Sequence, residues 1–419
     1  MLRFKFSKGN KMTKFVKMSL VAAVAVTGLS TTSFAQPLEE AIKNVDVSGT
    51  VVYRYNDYED QARGSKASAA GDSDSATNNY KIAVNVSSKV NDDITANTRF
   101  IIGSDNGEAS LGTSNASDTN VNVQLSEVNF TYTGVQGLSL TVGKQGIATP
   151  WTVARDSMGN ETTGTGALAV YSAGPVTLVG AYFNQTNIGK TLDGEVSADI
   201  SSLYGEVGSE DIYVLGAMAS FAGITLDAFY ANLDNEFDSY TIGVNGSFDL
   251  GAVKLSPFAR YSQLDPDSDS NANTLIGLMS DAANANEDQK LWQLGLTAEM
   301  GIFEGFVAYG ESGNNGGLVF LDSGSATNMD YHWRVTADGS ADTEYLYVHA
   351  TAQVTDKINV GLFYSEADYK TANDVDEIYG KVSYQMSKNF STYVQFGELS
   401  VQNSDEDGSM GRLNVQYTF

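Results

Sequence analysis

The residue types that most often carry catalysis or hold a metal are scarce in this 419-residue chain. It has no cysteine and two histidines, His332 and His349. A disulfide framework and a thiolate metal site are excluded, and a histidine-rich cluster is not expected. No nucleophile motif, metal motif or convergent carboxylate pair stands out. Carboxylates are abundant instead, with 51 Asp and Glu against 25 Lys and Arg, a net charge of −26. That balance speaks against nucleic acid as a partner and favours cations. The chemistry within reach is electrostatic: fixed charges acting on ions and polar solutes.

Two groups of charges are placed to do this. The first lies in ATPWTVARDSMGNETTGTG, which carries Arg155, Asp156 and Glu161. The second is dispersed: Arg54, Lys81, Arg99, Lys381 and Arg412 each occupy the polar phase of an alternating stretch. Glu299, Asp227, Asp249 and Glu377 share that phase. The elements that hold these residues are read from the same alternation.

Period-2 patterning recurs from Val45 to the end, as in YTIGVNGSFDL, KIAVNVSSKV and EIYGKVSYQM. It predicts an all-β chain of about 18 strands, starting near residues 46, 78, 93, 120, 138, 166, 175, 211, 223, 239, 253, 289, 302, 342, 357, 375, 390 and 411. Every second connection is a tight turn, such as VNDD, GVQG, Ala222–Gly223 and SKN. The others are mostly long and polar, such as LDPDSDSNANTLIGLMSDAANANEDQ. Sorting of loop length by parity is expected of a transmembrane antiparallel up-and-down β-barrel with short periplasmic turns and long extracellular loops. A soluble β-sandwich or propeller has no reason to sort its loops this way. No apolar run after the first thirty residues is long enough for a spanning helix.

The chain ends in GRLNVQYTF, an alternating segment with an aromatic last residue. A membrane sheet cannot leave an edge unpaired in hydrocarbon, so this segment is expected to close the barrel against VDVSGTVVYRY. Tyr417 and Phe419 would then belong to the periplasmic aromatic girdle. At the other end, Lys14 and Lys17 precede the apolar run Met18 to Leu29, with Ser33 and Ala35 before Gln36. Residues 1–35 read as a signal peptide, with Met12 as an alternative start, and 36–419 as one barrel domain. Cleavage would remove six basic residues, leaving 19 against 51 acidic ones, a net charge of −32. PLEEAIKNV, with Pro37 at its head, is the one helix-like segment.

Three stretches resemble the major outer membrane porin family of Campylobacter and related bacteria: PLEEAIKNVDVSG, GKQGIATPWT and the terminal strand ending in Phe419. The resemblance runs over essentially the whole mature length. It implies an 18-stranded homotrimeric porin in the outer membrane, among lipid and lipopolysaccharide, passing small hydrophilic solutes and cations. It also implies calcium as a structural ion, although no calcium ligand can be carried over and no cofactor is required.

A porin works through the width and charge of its constriction. The connection after SLTVGKQ is long enough to fold into the lumen, bringing Arg155, Asp156 and Glu161 with it; the alternative is an outward surface loop with solvated charges. Arg54, Lys81, Arg99, Lys381 and Arg412 would form a basic pore wall facing the acidic residues of that loop, giving a transverse field. The plainer alternative is that inward charges only keep the lumen wet. The inward acids and the large negative charge predict cation preference. For calcium, DPDSDSN and SDEDG are oxygen-rich, but the first lacks the EF-hand glycine and glutamate.

Pro257 and the change of apolar phase between Leu125 and Val128 predict bulges. MDYHWRV, Met329 to Val335, alternates inside a long connection, where a strand would upset the even count. Two other functions compete: a surface adhesin that uses a barrel as its anchor, and a secreted soluble hydrolase.

Overall fold

Residues rich in β-branched and aromatic side chains at alternate positions suit a pleated sheet with two different faces. The computed structural model describes residues 45–59, 75–103, 109–112, 122–188, 207–267, 287–402 and 408–419. The signal-peptide segment lies outside them, as does PLEEAIKN. Eighteen long antiparallel strands run through the described residues: β1 (Val45–Tyr58), β2 (Ser75–Lys89), β3 (Ile94–Gly103), β4 (Asn122–Tyr132), β5 (Leu138–Gly146), β6 (Thr163–Ala173), β7 (Val176–Thr186), β8 (Ile212–Phe221), β9 (Ile224–Leu233), β10 (Phe237–Gly246), β11 (Lys254–Pro266), β12 (Gln289–Met300), β13 (Phe303–Ser312), β14 (Thr343–Gln353), β15 (Ile358–Tyr369), β16 (Val375–Ser387), β17 (Phe390–Val401) and β18 (Gly408–Thr418). Two short pieces, Ala109–Ser110 and Phe248–Asp249, continue β3 and β10. Each strand begins within a few residues of its expected position.

The sheet closes. Strand β18 pairs with β1 from Thr50↔Thr418 to Tyr58↔Met410, while β1 also pairs with β2. At the periplasmic end Gly49 and Phe419 exchange two backbone bonds, of 2.9 and 3.0 Å. Large apolar residues point outward, with Leu215 64% and Phe396 63% exposed, whereas Thr241, Ser239 and Ser365 on the inner face are fully buried. This inverts the ordinary burial rule and matches a barrel wetted by lipid. The outer connection between β9 and β10 is short, spanning residues 234–236 with Asn235 at a φ of 60°. On the periplasmic side Ala222 and Gly223, with φ of 50° and 82°, make the two-residue turn whose twist suits a hairpin.

One of the two expected bulges is present. Arg99 pairs with Glu127 and Phe100 with Leu125, so Ser126 is the extra residue, and Leu125 and Val128 both remain on the lipid face. At Pro257 the expectation fails. Register is unchanged between Asn245↔Phe258 and Phe248↔Leu255, and the ladder is merely interrupted opposite Gly246 and Ser247. Ser247 gives its N–H to Gly223 at 2.8 Å instead. A ladder gap accommodates the missing donor without an added residue. MDYHWRV forms no strand, and the count stays even.

Candidate functional site

Two connections fold into the barrel. The first, residues 147–162 between β5 and β6, turns in sharply because Thr152 donates its hydroxyl to the Ile147 carbonyl at 2.6 Å and accepts from the Thr149 N–H at 3.1 Å. Ile147, Trp151 and Met158 are almost wholly buried, and Trp151 meets Phe229 of β9 edge-on at 6.5 Å. On the opposite side its charged residues reach β2, β3 and β4, so it crosses the lumen. Asp156 folds its tip, accepting N–H groups from Met158 and Gly159 at 2.8 and 2.6 Å.

Glu161 fixes the loop to the wall. Its carboxylate takes Nε and Nη2 of Arg99 at 2.8 and 2.5 Å, and Lys81 Nζ at 3.1 Å. Lys81 completes its three donations at the carbonyls of Asp156 and Gly159, 2.8 and 2.9 Å away, and is fully buried. Arg155 reaches the other way, to Glu127 of β4 at 2.8 Å, and keeps about half its side chain exposed. The expected basic wall therefore divides. Lys81 and Arg99 touch the acid they were expected to face across water, because the loop lies directly on their strands. Arg54, Lys381 and Arg412 stand together at the closing seam. Arg54 donates to Asn414 at 3.1 Å, Lys381 lies 3.9 Å from the Tyr393 ring centroid, and Arg412 donates to Asn56 at 2.6 Å.

The inward acids are also engaged. Asp227 makes a two-bond pair with Arg260, both at 2.9 Å, and Glu299 meets Lys254 at 2.5 Å. Asp249 accepts the Gly251 N–H at a turn. Glu377 is wholly buried and accepts the N–H groups of Trp333 and Arg334 at 3.0 and 2.7 Å.

Those last contacts belong to the second inserted connection, residues 313–342 between β13 and β14. Leu318, Val319, Phe320, Leu321, Met329 and Val335 are buried inside the barrel. Tyr347 of β14 donates to the carbonyls of Met329 and Val335 at 2.7 and 3.1 Å. His332 joins a chain of hydrogen bonds whose direction is determined by its far end. Ser365 donates to Glu377 at 2.8 Å, so it accepts from His332 Nδ1 at 2.7 Å. His332 Nε2 then accepts from His349 Nδ1 at 3.1 Å. Burial, with His349 alongside, pushes His332 down to about 3, keeping it neutral at ordinary pH. The chain's two histidines thus act as an anchor for this loop. Alternation within MDYHWRV and the apolar run LVFL were the available signals; both were consistent with a long outer connection.

The two loops hold each other. Leu321 N–H donates to Trp151 and Thr327 N–H to Pro150, both at 3.0 Å, and Thr162 donates its hydroxyl to Asp322 at 3.0 Å. Burial raises the Asp322 carboxyl to about 7, opposed by the hydrogen bonds from Thr162 and Gly324. A raised carboxyl favours the protonated form when docked. The contribution is complete below the unfolded value near 4 and is lost as pH rises through about 7. Thermal unfolding of the wild-type barrel should therefore move to lower temperature between pH 5 and pH 8. Asp322→Asn, which can still accept from Thr162, should flatten the profile over that window.

Among the described residues no group of three His, Asp or Glu side chains is placed to hold a metal ion. Asp269 and Asn271 of the first acidic stretch, and Asp405, Glu406 and Asp407 of the second, lie outside those residues. Asp265 accepts from Gln263 at 2.7 Å.

Several solved outer-membrane barrels share the architecture. Pseudomonas aeruginosa OccK8 (OprE) superposes with a TM-score of 0.70 at 15% identity, covering 90% of this chain and 98% of that one. A BenF-like porin from Pseudomonas fluorescens Pf-5 gives 0.68 at 13%, covering 90% and 99%. P. aeruginosa OccK5 (OpdH) gives 0.67 at 13%, covering 90% and 98%. No curated protein sequence matches. The profile of the Campylobacter major outer membrane protein matches residues 13–419. With the closed eighteen-strand barrel and a match over nearly its whole length, this chain belongs to the Campylobacter major outer membrane protein family, and its place is the bacterial outer membrane.

Proposed function

We propose that the chain forms a homotrimeric, cation-preferring channel for passive diffusion of small hydrophilic solutes and ions, requiring no cofactor for permeation. The observation that supports this most directly is the loop carrying Arg155, Asp156 and Glu161, which crosses the lumen and narrows it at charged residues. Arg155, half exposed beside Glu127, and the seam cations Arg54, Lys381 and Arg412 are the charges that act on passing solutes. Lys81, Arg99 and Glu161 act indirectly, by holding the constriction in shape. Cation preference follows from the excess of acidic residues over the whole chain, which raises the local cation concentration at the mouths.

Reconstitution in a planar bilayer tests the reading. Stepwise openings in groups of three and a reversal potential of cation-selective sign in a potassium chloride gradient are expected. A chloride-selective potential would overturn the preference. A barrel that inserts but conducts nothing would favour the surface-anchored adhesin instead.

A further inference from the structure

We propose that Lys381 and Arg412 form a transit subsite for small dicarboxylates on the seam where the barrel closes. The inference rests on the channel reading above and adds a solute class to it.

The starting observation is a contrast in how the inner cations are neutralised. Lys81 and Arg99 share Glu161, Arg155 has Glu127, Arg260 has Asp227 and Lys254 has Glu299. Among the described residues Lys381 and Arg412 meet no carboxylate, in a chain with twice as many acids as bases. Both are half-buried. A cation taken partly out of water without a counter-charge is unfavourable, and an anion arriving there is attracted more strongly than at an open surface.

The neighbouring groups are uncharged acceptors and ring faces. Arg412 gives Nε to Asn56 at 2.6 Å and Nη2 to the Tyr58 hydroxyl at 3.1 Å, and its guanidinium lies 5.1 Å from the Trp333 ring centroid. Lys381 rests on the ring of Tyr393. These contacts hold both cations in place before a ligand arrives, so little side-chain freedom is lost on binding. The register puts them in one row: Lys381 of β16 opposite Gln395 of β17, Gln395 opposite Arg412 of β18. Two strand spacings separate their backbones by about 10 Å. Lys381 leans over β17 onto Tyr393 and Arg412 leans toward Asn56 and Tyr58 of β1, so a four-carbon chain with a carboxylate at each end would bridge them across the Gln395 position. Two cations lacking an internal partner balance a solute of charge −2.

The test is single-channel recording on the full barrel with succinate as the probe, and butyrate as the monoanion of equal length. Succinate should interrupt the potassium current with a half-effect concentration about tenfold or more below that of butyrate, the factor expected for one additional charge-assisted contact. Lys381→Gln and Arg412→Gln should each raise the succinate value about tenfold. Lys357→Gln, at the periplasmic rim outside the row, should leave it unchanged. Heat-modifiable gel migration verifies that each variant is a folded barrel. Equal effects of succinate and butyrate on the wild type, or an undiminished succinate effect in both seam variants, would overturn the subsite alone. A wild-type barrel that opens no channel would overturn the channel reading and the subsite with it.

Discussion

Glu161→Gln should release the first inserted loop from the barrel wall. The carboxylate of Glu161 neutralises two buried cations at once, Lys81 at 3.1 Å and Arg99 through two bonds. A glutamine of the same shape leaves both charges enclosed without a counter-ion, and breaking a buried pair in this way costs about 3–5 kcal/mol. That exceeds what a short connection can recover elsewhere, because the strands on either side are held by the barrel and do not depend on the loop. The expected result is a folded barrel with larger, noisier single-channel conductance. A second readout is independent of conductance. Arg155 lies near the loop tip, so trypsin should cut there in the variant while sparing the wild type. Removing Lys81 instead should have a smaller effect, since the Arg99 pair survives. Wild-type conductance and trypsin resistance in Glu161→Gln would show that the loop is held by its apolar contacts, chiefly Ile147 and Trp151.

Deleting Phe419 should impair insertion of the whole protein. The residue supplies one partner to each of the last two backbone bonds on the seam, its carbonyl accepting from Gly49 and its N–H donating to Gly49, and its ring lies so close to Gly49 that a Cβ there would come within 2.8 Å of it. It also stacks on Tyr417, with centroids 5.8 Å apart. Loss of the residue shortens β18 at the periplasmic end and removes an aromatic from the girdle, where such rings favour the interface. Heat-modifiable migration of membrane fractions should show a large fall in folded barrel for the deletion, and near-normal amounts for Arg412→Gln. Equal assembly of the deletion and the wild type would confine the role of Phe419 to local packing.

How much was legible in the sequence depended on where the determinants lay. Strand positions and the Leu125–Val128 bulge follow from period-2 alternation, a local signal that a lipid-facing barrel leaves clean. The inward direction of Lys81, Arg99, Lys381 and Arg412 follows from the same parity. What parity cannot supply is distance across the lumen. Glu161 was expected to oppose Lys81 and Arg99 over water; it touches them, because the loop returns to its own side of the barrel before β6 begins. Glu377 shared the inward phase with Asp227, yet it caps the backbone of residues 333 and 334. The inward course of the second loop was not legible, since the short alternation of MDYHWRV says nothing of direction and the loop's partners are spread over strands from β11 to β18 and back to β1.

That second loop has a consequence for the order of biogenesis. Its Trp333 and Arg334 touch Tyr58 of β1, and Trp333 also touches Arg412 of β18 and Tyr379 of β16, so they bridge the first and last strands. Contacts separated by so much chain carry a high loop-closure cost and cannot be satisfied until the ends of the sheet have met. The connection must therefore wait, threaded but unlatched, while the wall is completed around it. Once seated it braces the youngest joint of the barrel from within, so that unzipping β18 from β1 also requires pulling an aromatic bolt.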